Sequence, residues 1–360
     1  MGAKQTEKIS PIASNDFINK NPNKNLVKPK YIPEKLNLKL IKKLDKISKD
    51  IIEEAISYPN EKNAIILACR SGNIVKVSNL ISPPENSSSI KILFKFSKRI
   101  FSLILLNKNN KNLCVGLNNE IAILKINLDN KEDLKKEEFL SCEGEEGINS
   151  LLELQNGNII SAGKNIILWQ LISSKEYNKV NSIPIGFNRI INIIEFPNIN
   201  TILATQEESH IIFLLKNEGN SINLIQKKEK VPSIWYKGSA ENLSKNAMIL
   251  VGKFELNVID PQNGDIISRY PGIDRGTLLN LSQNYKENDF WIVSDFMGRY
   301  FEFYQQEGND LLYFERYELE ENEEIGWGNR LVKINDEYFA SINHYGDVFI
   351  FEIIPNIALE

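Results

Sequence analysis

This chain has little of what most enzymes, secreted proteins and membrane-spanning proteins rely on. It contains two histidines, three cysteines and three methionines in 360 residues. Cys69, Cys114 and Cys142 are too few and too scattered for a disulfide framework, and no CxxC pair offers a zinc site. No GxSxG, P-loop, GxGxxG or HExxH motif occurs, and no DxDxDG-type loop could hold calcium. The expectation is a protein that is not an enzyme, with no catalytic residue, no metal and no cofactor. No run of 18 apolar residues could span a bilayer, and no secretory h-region opens the sequence. A net charge of -4 gives no general attraction to nucleic acid. Together these absences point to a cytoplasmic protein with reduced thiols that works by binding.

What the chain does have is a repeat. Seven short hydrophobic segments begin at Ile74, Ile121, Ile166, Ile211, Leu256, Tyr300 and Val348, with successive starts 47, 45, 45, 45, 44 and 48 residues apart. Strand-based units of that length are the signature of β-propeller blades. Each segment follows a strand ending in small residues, such as AIILAC (64–69) and NIISAG (158–163). An apolar strand lies further upstream, from IIEEAISY (51–58) in the first unit to NRLVKI (329–334) in the last; in the fifth it is read as SIWYK (233–237). More polar outer strands complete six units, and the seventh lacks its own. LNLKLIKKL (36–44) supplies the missing strand. The expected fold is all-β, a seven-bladed propeller over residues 36–354 closed by pairing an N-terminal strand with the C-terminal blade. Residues 355–360 form a short tail.

Within these units NGNIISAGKNIILWQL (156–171) carries Trp169 near the end of its third strand, and Ser71-Gly72, Met297-Gly298 and Tyr345-Gly346 sit at tight turns. On these features the chain resembles the WD40 repeat family, in which a tryptophan and an Asp-Gly turn occupy such positions. The resemblance implies a β-propeller acting as a scaffold. The departures are large: no Gly-His or Trp-Asp dipeptide occurs, and the family's Asp-His-Ser-Trp tetrad cannot be assembled in any repeat. The blade count therefore rests on periodicity, with six- or eight-bladed rings and non-WD propellers as alternatives. Kelch repeats fit less well, since their double glycine is absent.

Residues 1–35 carry seven lysines against three acids and no sustained periodicity, the composition of a disordered basic arm. Their start, MGAKQT, matches the N-myristoylation pattern at Gly2. An acyl chain beside a basic stretch would make a two-signal membrane anchor.

Six of the eight arginines (Arg70, Arg99, Arg189, Arg275, Arg299 and Arg330) fall at turns that a propeller opens on one end. Lysine is the default cation here, at 35 copies, so arginine at one end points to a planar, multi-donor need. Phe187, Phe296, Trp327 and Tyr345 are candidate aromatic anchors on the same end, as is Trp235. Acids lie there too, including Glu143, Glu145, Glu146, Asp274, Glu321, Glu323 and Glu324, so ion pairing within the protein is the competing account. His210 and His344 sit at turns with no nucleophile nearby. The leading expectation is a non-enzymatic scaffold that binds protein partners, within a multiprotein complex, through an acidic or phosphorylated segment. The alternatives are a peripheral membrane adaptor held by Gly2 and the arm, and a hydrolase with its site in the channel.

Overall fold

Middle strands whose residues are buried on both faces lose the in-out alternation of a half-exposed sheet and become continuous apolar runs. Ile65–Cys69, Ala247–Val251 and Phe290–Asp295 are such strands, buried at every position. In the computed structural model they are second strands of seven four-stranded antiparallel sheets. The structure describes residues 35–48, 50–59, 61–81, 88–108, 112–126, 134–173, 176–186, 188–229, 240–244, 246–252, 255–271, 275–281, 290–295, 297–319, 325–326 and 330–356. Blades one to six occupy residues 52–95, 100–141, 150–184, 190–229, 240–271 and 275–318.

Blade seven draws on both ends of the chain. Arg330–Lys333, Tyr338–Ile342 and Val348–Asn356 supply three strands, and Lys35–Leu44 pairs antiparallel with the last of them, Lys35 opposite Asn356 and Leu44 opposite Val348. Seven apolar cores join the blades, one between each adjacent pair. The core between blades seven and one, with Val332, Ile342 and Ile350 against Ile52, Leu67 and Val75, completes the ring.

The seven outer strands share a device. Each carries one extra residue opposite its third-strand partner: Ile41, Leu93, Glu137, Val180, Ile225, Ile267 and Phe314. A bulge bends and twists an edge strand, which blunts a row of open backbone groups against pairing with other chains.

One placement differs from expectation. The first strand of blade five is Ala240–Ser244, not 233–237. Its sequence AENLS buries only Ala240 and Leu243 against neighbouring blades, so it shows almost no hydrophobic signal. Segment 233–237 lies outside the described residues, as do Gly2, Phe187, Trp235, Phe296 and Trp327.

Candidate partner-binding face

Because strands alternate in direction, the turn between second and third strands and the connection entering the next blade lie at the same end of the ring. Backbone hydrogen bonds tie the two together in five blades. The turn carbonyls of Gly72, Asn119, Lys164, Gly298 and Gly346 accept from the amides of Phe96, Cys142, Ile185, Ile325 and Ile47, at 2.9, 2.7, 3.2, 3.1 and 2.9 Å. Every donor residue is apolar and turns inward, which anchors each connection over its turn. Gly72 shows why the turn needs glycine. Its φ is +100°, and an added Cβ would sit 2.5 Å from the Phe96 carbonyl oxygen.

The predicted arginines converge on this end, and buried carboxylates hold several of them. The first strand of blade one shifts register between Ile52 and Glu54, so Glu53 is the bulged residue, and it is fully buried. Its Oε1 accepts from Nε of Arg70, on the turn of blade one, and from Nη2 of Arg99, on the connection to blade two (2.5 and 3.0 Å). Blade two has the equivalent bulge at Phe101, and the Arg99 guanidinium lies over that ring at 4.4 Å. Arg99 is thus gripped by consecutive blades, with a third of its side chain still exposed.

In blade six the fully buried Asp295 accepts from the Arg299 backbone amide (2.6 Å) and from its Nε (2.7 Å). Arg275 begins the first strand of that blade, opposite Asp295 in the register. Arg189 approaches Glu146 to 4.0 Å, and Lys164 approaches the same carboxylate to 2.5 Å. Lys164, and to a lesser degree Arg189, hold the Glu146 carboxyl below its ordinary range. Glu145 beside it turns inward and accepts from the backbone amides of Lys164 (2.6 Å) and Asn165 (2.9 Å). Arg330 is half-buried at the start of blade seven, opposite Ile342. Tyr345 stands out on the turn of blade seven, 62% exposed. An open cleft of about 350 Å³ lies on the same end, lined by Gly144, Lys164, Asn165, Pro184 and Gly186.

The arginines stand out in the sequence, whereas two of the acids that position them do not. Glu53 and Glu54 are indistinguishable in IIEEAIS, and only the bulge turns the first of them inward. Asp295 ends the apolar run FWIVSD, where a turn-capping acid is the available signal.

The channel has its own electrostatics. Glu54 and Glu241 lie on the innermost strands of blades one and five, across the ring from each other. Glu241 is open to water yet enclosed by protein, and its carboxyl is pushed up to about 7, first by dehydration and then by repulsion from Glu54. Burial also raises the thiols of Cys69, to about 11, and Cys142, to about 12, which leaves them unreactive. Among the described residues no three His, Cys, Asp or Glu side chains cluster as a metal site. In blade three Trp169 Nε1 donates to the buried Ser161 hydroxyl at 2.9 Å.

No protein-family model matches the chain, and no curated protein matches its sequence.

Proposed function

We propose that this propeller is a non-enzymatic scaffold whose arginine-bearing end binds a segment of a partner protein, acidic or phosphorylated, within a multiprotein complex. One observation carries the reading: Arg70, Arg99 and Arg299 are held in fixed poses by buried carboxylates while 30%, 35% and 45% of their side chains stay exposed. An arginine already immobilised loses less side-chain entropy on binding, and its planar fork suits carboxylate and phosphate groups. Tyr345 adds an exposed aromatic of the type that dominates binding energy at interfaces. The Ser161–Trp169 hydrogen bond and the left-handed turn glycines support a divergent WD40-like repeat as the origin of the scaffold.

The test is affinity purification from native cells with the wild type and with an Arg99→Ala, Arg189→Glu, Tyr345→Ser variant checked for an intact melting transition. Partners recovered with the wild type should fall away with the variant. Recovery of the same partners in equal yield would end this reading.

A further inference from the structure

The rim of the ring has a charge pattern that the partner-binding face does not explain. The outer strands of blades seven and one, Lys35–Leu44 and Ser89–Lys95, are neighbours around the ring. Together they contain six lysines (Lys35, Lys39, Lys42, Lys43, Lys91 and Lys95) and no acid, in a chain whose net charge is -4. The outer strands of blades two, three, four and six each contain acids. In this basic sector stand Ile90 and Ile92, 51% and 58% exposed. They lie opposite Val77 and Val75, which belong to the core shared with blade seven, so both isoleucines share the face turned toward the lysine-bearing strand. Described acids at the sector are engaged: Asp45 pairs with Lys43 at 3.2 Å, Glu61 pairs at 2.7 Å with Lys76 opposite Lys91, and Glu352 accepts from the Tyr338 hydroxyl at 3.2 Å.

We propose that this rim is a docking surface for an anionic lipid bilayer. Lysines spread over two blades around a pair of exposed isoleucines match a broad negative plane with an apolar layer beneath it. The chain that enters the rim at Lys35 has the same sign: residues 1–34 hold six lysines and three acids. Two basic segments repel each other, whereas one extended anion attracts both. This inference is independent of the arginine-bearing end, which opens on the turns and not on the rim.

The experiment is co-sedimentation of the full chain with phosphatidylcholine vesicles, with and without about one-third phosphatidylserine, at low and physiological ionic strength. The wild type should sediment with the serine-lipid vesicles only, and more weakly as salt rises. Each lysine near an anionic surface contributes about five-fold in affinity, so Lys39→Glu, Lys42→Glu, Lys95→Glu should weaken binding about a hundred-fold or more. Ile90→Ser, Ile92→Ser should cost about ten-fold while keeping the charge. If the reversed variant does not fold, the glutamine versions should still lose about a hundred-fold. Unchanged sedimentation of the rim variants, with loss only on Lys20→Glu, Lys24→Glu, Lys28→Glu, would assign binding to the arm and overturn the proposal. Binding to soluble polyglutamate but not to vesicles would overturn it in favour of an acidic protein.

Discussion

Replacing Glu53 by glutamine tests the ion-pair clamp at its centre. The carboxylate is fully buried and accepts from two guanidinium groups, so the native state holds a charge that is tolerated only because it is paired. Two buried charge-assisted bonds would contribute about 3–6 kcal/mol. Both arginines are about a third exposed and can rehydrate, and glutamine still offers one accepting oxygen, so the expected loss falls to about 2–3 kcal/mol. With an unfolding entropy of about 2 cal/mol/K per residue over roughly 300 folded residues, that lowers Tm by about 3–5 °C. Calorimetry or thermal circular dichroism measures it. Arg99→Ala removes one bond and the stacking on Phe101, and it should cost about 1 kcal/mol less in the glutamine background than in the wild type. A Tm shift under about 1 °C for Glu53→Gln, with additive double-mutant energies, would refute the clamp.

Three further outcomes follow from the same geometry. Gly72→Ala and Gly219→Ala both force alanine into a left-handed conformation, but only at position 72 does the new methyl meet backbone, so its urea midpoint should fall by the equivalent of about 1–2 kcal/mol more; equal losses would contradict the close approach. Ser161→Ala and Trp169→Phe should each cost about 1–2 kcal/mol, and the double variant should cost less than their sum because they break one buried hydrogen bond. Glu241 has a native pKa raised to about 7, so the fold binds its proton more tightly than the unfolded chain does. Its contribution is complete below the ordinary carboxylate pKa and is lost as pH climbs through about 7. Glu241→Gln should therefore raise Tm at pH 8 and leave it unchanged near pH 4, and a gain that did not depend on pH would refute the dehydrated carboxyl.

The fold was legible in this sequence because its middle strands are buried on both faces, largely apolar and recur at a nearly constant spacing, and periodicity survives even where motif residues are lost. The end on which the arginines gather was legible too, since turn positions follow from strand order alone. What stayed hidden was set by tertiary context. The first strand of blade five could not be found, because a strand at the channel, with the surfaces of Glu241 and Asn242 uncovered by neighbouring blades, needs few apolar residues. Neither could the bulges, because an extra residue in an outer strand shifts register without changing composition. A like shift in the first strand of blade one turns Glu53 toward Arg70 and Arg99, and so the centre of the arginine-bearing end was a matter of geometry before it was one of residue type.

The sheet that unites Lys35–Leu44 with Val348–Asn356 has a consequence for biosynthesis. Its two partners are separated by about 300 residues, so their pairing is among the slowest contacts to form. While the polypeptide is still emerging from the ribosome, six blades can assemble but the gap cannot be filled. The inner strands on either side of that gap wait with their apolar flanks uncovered until Val348–Asn356 has been made. Truncation near the C-terminus would leave the nascent protein in this open form, a substrate for chaperones and proteases rather than a smaller working ring.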